Sequence, residues 1–183
     1  DHELKANNRV LKNIISLKKK FKNIEIFDHH EAHAASAYFF SGWNKCYVLT
    51  IDGWGDNSSS KFYKAENRRL KELSKTHTID SLGYFYGSIT KLLGYKPHRH
   101  EGKILGLAAY GNPKKAYPYI SKMISYDKLN KCFKGNFEKG IYISNYNNPN
   151  LKFLKKKFAP ADIAAAAQKR IEEVIIQFIK DNV

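Results

Sequence analysis

His29 and His33 lie four residues apart in the run Asp28-His29-His30-Glu31-Ala32-His33, a spacing that can build a metal site. On a helix, side chains four apart share a face, with Cβ atoms about 5–6 Å from each other. Two imidazoles so placed can hold one divalent ion and leave positions for a carboxylate, water or a ligand. His30 would point about a quarter turn away. Glu31 stands between the histidines, so the order is not that of the metalloprotease HExxH. The alternative is three ordinary histidines at a helix N-terminus, capping or bonding backbone groups.

A second group is Thr50-Ile51-Asp52-Gly53-Trp54-Gly55-Asp56-Asn57, continued by Ser58, Ser59 and Ser60. An acidic residue at the end of a buried strand, followed by glycines and hydroxyls, can present backbone N–H groups to phosphates. Asp52 could hold a metal or a water there. A hairpin turn with Asp and Gly in their usual turn roles is the plainer reading. A third group runs Lys96-Pro97-His98-Arg99-His100-Glu101-Gly102-Lys103 and leads into Ile104-Leu105-Gly106-Leu107-Ala108-Ala109-Tyr110-Gly111. It offers anion binders and proton carriers ahead of a small-residue helix. Lys103 would fall in the first helical turn, where the dipole does not favour a cation. A nearby ligand would account for it, and so would solvation. No GxSxG elbow, P-loop or GxGxxG fingerprint is present.

These residues need elements to carry them. Val10, Leu11, Ile14, Ile15, Leu17 and Phe21 follow helical periodicity over 8–21. Ile24 to Phe27 is a short β-rich run, and 30–40 reads as an alanine-rich, largely buried helix. Cys46 to Ile51 has the continuous apolar character of an interior strand, closing at Asp52 before the turn-rich 53–60. Segments 61–65 and 70–78 read as further strands, and 82–93 and 103–109 as helices. The stretch 112–150 is less regular, with a short helix and weakly paired strands expected. A long helix over 161–180 carries Ile163, Ala164, Ala167, Ile171, Val174, Ile175, Phe178 and Ile179 on one stripe. Strand, loop, strand and then helices describe a single α/β domain over 1–183.

Composition narrows the classes. With 43% hydrophobic and 27% charged residues among 183, the chain is globular rather than collagen-like or disordered. No apolar run approaches the roughly 18 residues of a membrane span, and DHELKANNRV has no signal-peptide core. Two cysteines, Cys46 and Cys132, give no disulfide framework, so a cytoplasmic setting is expected. The net charge of +15 raises nucleic acid as a partner, and a basic nucleic-acid-binding module is one alternative reading. Against it, the basic residues are mostly lysines with few arginines, where base readout favours arginine. The runs Lys18-Lys19-Lys20 and Lys155-Lys156-Lys157 read as solvated faces.

Together and in order, DHHEAHAASAYFFS (28–41), TIDGWGDNSSS (50–60), SLGYFYGSITKLLGYKPHRHEGKILGLAAYG (81–111) and ADIAAAAQKRIEEV (161–174) resemble the carbamoyltransferase family that includes nodulation-factor and antibiotic O-carbamoyltransferases. The resemblance implies an actin/Hsp70-like, ribonuclease-H-type α/β core, a mixed sheet with flanking helices. It implies transfer of a carbamoyl group from carbamoyl phosphate to a substrate hydroxyl, with ATP, through carbamoyl-adenylate. By motif, His29 and His33 would be ligands of a divalent metal, often iron. Asp52, Gly53, Gly55 and Asp56 would line the nucleotide and intermediate site. His98, His100 and Lys103 match a motif near it and are the catalytic candidates. Hydrogenase-maturation or tRNA-modifying carbamoyl enzymes are the related alternative. Against the family pattern, an upstream strand with a glycine loop, and a glycine-rich segment with a metal-site aspartate after 161–174, are missing. The expectation is an internal piece of an N-terminal transferase domain, inactive by itself, whose partners are a hydroxyl acceptor and the rest of the enzyme.

Overall fold

A computed structural model describes residues 11–136 and 151–183. Val10 of the first helical stripe and the 137–150 part of the irregular stretch lie outside the described residues. The fold is mixed α/β. After helix α1 (11–18) come α2 (His29–Ser41) and a meander of β1 (Lys45–Gly55), β2 (Ser58–Glu66) and β3 (Arg69–His77). A 3₁₀ turn at Thr78–Asp80 leads to α3 (Leu82–Leu92), α4 (Glu101–Ala108) and α5 (Pro113–Ile120). The hairpin β4 (Ile124–Asp127) and β5 (Cys132–Gly135) follows, then α6 (Lys152–Lys157) and α7 (Pro160–Asn182). Among the described residues, both sheets are antiparallel, with orders β1-β2-β3 and β4-β5.

The meander closes through two-residue turns, Asp56-Asn57 and Asn67-Arg68, all four with φ between 48° and 63°. Positive φ at both central residues matches the right-handed twist of hairpin strands. Strand β1 runs on past Asp52 to Gly55, and β2 begins already at Ser58, so 53–60 is mostly strand rather than an extended turn. The pairing Ile51↔Ser60 jumps to Gly55↔Ser58, which bulges residues 52–54 out of the ladder. Bulges re-aim side chains, and this one carries Asp52.

The sheet is covered on both faces. On one, α2 packs Ala34 and Tyr38 against Val48, Tyr63 and Ala65. On the other, Phe62 joins the main core with Leu82, Phe85 and Ile89 of α3, Ile104 of α4 and the α7 stripe Ile163, Ala164, Ala167, Val174 and Phe178. Pro160 opens α7 at its first position, where its missing N–H costs nothing.

Two further expectations change. Helix α2 is buried only along His30, Ala34 and Tyr38, because the meander covers one of its faces; Phe39 and Phe40 face outward. Residues 24–27 form no strand, since no described strand lies alongside them to accept and donate ladder bonds, and Ile26 and Phe27 are exposed.

Candidate functional site

Asp28 caps α2 by accepting the Glu31 N–H at 2.9 Å, which starts the helix at His29 and fixes the phase of both histidines. Asp56 accepts the His29 N–H at 2.7 Å, a second tie at the same helix end. His30, fully buried, lies 3.0 Å from Thr50 Oγ1 and 3.1 Å from the Ser58 carbonyl, so it cross-links α2 to β1 and β2 rather than facing the site.

His29 and His33 turn their Nε2 atoms to within 3.2 Å of each other. The bulged Asp52 brings Oδ2 to 2.8 Å from His29 Nε2 and 3.7 Å from His33 Nε2. Three lone-pair-bearing atoms this close need a shared proton or cation. Since all three separations are below 4 Å, one point can lie at a metal–ligand distance of about 2 Å from every atom. Two neutral imidazoles and one carboxylate form a donor set suited to Zn, Fe or similar divalent ions. Burial works to raise the Asp52 carboxyl, but the hydrogen bonds from His29 and the Gly53 N–H outweigh it and hold the group below its ordinary value. Asp52 is thus poised as an anion.

Glycine is required around this cluster. A Cβ on Gly55 would fall 2.1 Å from the His29 ring, and one on Gly83 would meet the Gly53 backbone at 2.7 Å. The latter contact seats the start of α3 on the bulge, where Ser81 Oγ lies 2.7 Å from the Gly53 carbonyl and 3.2 Å from that of Asp52.

Beside the cluster opens a cleft of about 430 Å³, lined by Asp52, Gly53, Trp54, Gly83, His98 and Glu101, with an apolar wall from Ile51, Leu82, Tyr86 and Ile171. His98 has φ 64°, and its backbone N–H donates to Glu101 Oε1 at 2.6 Å. The Tyr86 hydroxyl donates to Gln168 Oε1 at 2.8 Å. Its pKa is pushed up to about 12 by burial, helped by the charges of Glu172 and Glu101, so it stays protonated.

The candidates named from sequence therefore separate. His29, His33 and Asp52 converge, and Asp52, Gly53 and His98 line the cleft. Gly55 lies under His29, and Asp56 serves the helix end. His100 accepts the Lys96 N–H and sets its ring edge-on to Tyr95, over which the Lys103 ammonium also lies, 5.7 Å from the centroid. Those two line no part of the cleft. Trp54, Tyr86, Glu101 and Ile171 were not singled out. Trp54 and Glu101 sat inside the quoted motifs, while Tyr86 and Ile171 showed only as members of helical segments.

These features define a mixed α/β domain with two imidazoles and a carboxylate gathered at the mouth of a cleft. A family model described as Carbamoyltransferase N-terminus matches residues 2–183, and the chain belongs to that family. It is 32% identical to a Methanocaldococcus jannaschii protein described as uncharacterised, over 89% of this chain and 29% of that protein. It is 29% identical to nodulation protein NolNO of Sinorhizobium fredii, over 87% of this chain and 23% of that one. With nodulation protein NolO of Bradyrhizobium diazoefficiens the identity is 37%, over 47% of this chain and 16% of that protein. The chain thus spans less than a third of the length of these relatives. No helix of the described residues is long and apolar enough to cross a membrane.

Proposed function

We propose that this chain carries the transfer site of an ATP-dependent O-carbamoyltransferase, which moves a carbamoyl group from carbamoyl phosphate through carbamoyl-adenylate to a substrate hydroxyl. The observation that carries the reading is the convergence of His29, His33 and Asp52 beside a cleft that also receives His98. His29, His33 and Asp52 would hold a divalent ion, iron being one candidate. Bound there, such an ion supplies Lewis acidity toward an acyl oxygen and offsets negative charge on phosphate.

The chain's own groups do the rest. Asp52 Oδ2, 2.8 Å from His29 Nε2, would present its donor atom to the same ion as that imidazole. The bulged backbone at Gly53 gives a phosphate-bearing substrate close access. His98, whose side chain lines the cleft, takes the proton from the acceptor hydroxyl as its oxygen attacks the carbamoyl carbon. The new C–O bond forms, the bond to the adenylate oxygen breaks and AMP leaves. Trp54, Tyr86 and Ile171 offer the acceptor an apolar wall. The remainder of a longer polypeptide, as in the relatives, would complete the nucleotide site.

The full-length protein, metal-loaded and given ATP with labelled carbamoyl phosphate, should release pyrophosphate only when carbamoyl phosphate is present. His98→Ala should leave that release in place and slow label transfer to a hydroxyl acceptor by about 10²–10⁴-fold. A folded, metal-loaded protein without carbamoyl phosphate-dependent pyrophosphate release would overturn the reading.

A further inference from the structure

Beneath the first turn of α2 lies a lysine that touches none of the three clustered side chains. Lys61, midway along β2, has only 11% of its side chain exposed. Its ammonium lies 3.0 Å from Asp28 Oδ2 and 3.0 Å from Glu72 Oε2. Asp28 uses its other oxygen to cap α2. The Lys61 backbone N–H donates to Thr50 Oγ1 at 3.2 Å, and Thr50 Oγ1 is the atom that meets His30 Nδ1. Residues 28 and 30 are therefore both tied to the sheet through residue 61 or its direct partner, with His29 between them.

We infer that Lys61 is a positioning residue of the metal site: by holding Asp28 it fixes the first turn of α2, and with it the aim of His29 and His33 at Asp52. This rests on the metal reading of that cluster. Lysines ordinarily keep their ammonium in water, so one held inside between two carboxylates marks a fixed point. Burial acts to lower its pKa, but the bonds to Asp28 and Glu72 prevail and hold it above the usual lysine value. Without the ammonium, Asp28 keeps a partly buried carboxylate with no cation beside it. Turning that carboxylate toward water drags the cap, and a shift of about 1 Å would open the 2.8 and 3.2 Å contacts of His29 beyond a common ligand distance.

The test is Co²⁺ alone, titrated into the protein and followed by its visible d–d absorption, with circular dichroism establishing the fold. Lys61→Met should weaken Co²⁺ binding by about 10–100-fold and alter the d–d band. Lys61→Arg should restore both to within about threefold, because the guanidinium keeps the charge and reaches the same carboxylate. Lys64→Met, on the same strand but paired with Glu66 well away from α2's first turn, should change neither. Should Lys61→Met not fold, Asp28→Asn keeps a capping oxygen, loses the ion pair, and should weaken binding in the same sense. A folded Lys61→Met or Asp28→Asn protein with wild-type affinity and d–d band would overturn the inference. A metal-free arm separates it from the metal reading. Imidazole ¹⁵N–¹H spectra should show the His29 and His33 ring signals moved by Lys61→Met and those of His77 unmoved. If the wild-type protein binds no Co²⁺, the metal reading falls and this arm decides: moved rings support Lys61 as the positioning residue, and unmoved rings overturn it.

Discussion

Helices α1 and α7 carry the same kind of sequence signal and meet different fates. Both place aliphatic residues at helical spacing, yet Leu11 and Ile15 of α1 are each 55% exposed, while Ile163, Ala164 and Ala167 of α7 are fully buried. Periodicity reports that a segment will be helical; burial needs a second surface shaped to receive it. For α7 that surface comes from the sheet, α3, α4, α5 and the β4–β5 hairpin. Its alanines let other backbones come near, as Gly111 does against the Ala161 carbonyl. In α1 the stripe is larger in side chain and receives no such partner among the described residues. No α1 side chain bonds another described element either.

The sharpest way to break this contrast is at Phe178, which is 2% exposed and set among the rings of Phe62, Tyr126 and Phe133 at 5.1–5.4 Å. Phe178→Ala should cost about 3–5 kcal/mol in urea unfolding, combining lost transfer energy with a cavity that rigid neighbours cannot fill. A loss below about 1 kcal/mol would place this end of α7 outside the core and remove the difference from α1.

Polar anchoring sharpens the contrast further. Asp162, in the first turn of α7, accepts the Asn112 N–H at 2.7 Å and the Lys115 ammonium at 2.9 Å, tying α7 to the start of α5. The Asn112 bond, then that of Lys115, hold its pKa below the ordinary carboxylate value of 3.8. A group depressed in the folded state stabilises it above the unfolded pKa, and that contribution is lost as pH falls through the folded pKa. Melting of wild-type protein and Asp162→Ala should therefore differ at pH 6, and the gap should narrow below about pH 4. A gap that widens toward acid would reverse the sign and remove the anchor.

The same distinction between local pattern and long-range surface explains what the sequence made legible. The histidine pair was readable because a spacing of four is a local property of a helix, and the strand ending near Asp52 because an apolar β-branched run is local too. The match of Asp52 to that pair depends on a bulge, on Gly55 clearing the His29 ring and on Gly83 lying against Gly53, none of which spacing encodes. His98, His100 and Lys103 looked equivalent as neighbours in one motif. The left-handed backbone at His98 and the Tyr95 ring separate them, sending one to the cleft and two away from it. Lys61 was one basic residue among many until burial distinguished it. α6 was missed because its three consecutive lysines read as a solvated run and masked a single buried apolar position, Leu154.

The smallest expected effect belongs to α1. Ile15 is more than half exposed, so Ile15→Ala removes apolar surface that is mostly still in contact with water. The lost burial is small, and alanine's better helix propensity returns a few tenths of a kcal/mol. Urea unfolding should shift by less than about 0.5 kcal/mol in either direction, in the range of ordinary surface substitutions. The measurement is informative because the contrasting outcome has a definite meaning. A loss above about 1 kcal/mol would show that this face is covered in solution, since an exposed isoleucine has no such energy to lose. Repeating the measurement over a wide range of protein concentration then identifies the cover. A loss that grows with concentration belongs to a second copy, and a constant loss belongs to the same chain. Either result would erase the difference between the two helices, leaving them alike in burial as they are in pattern.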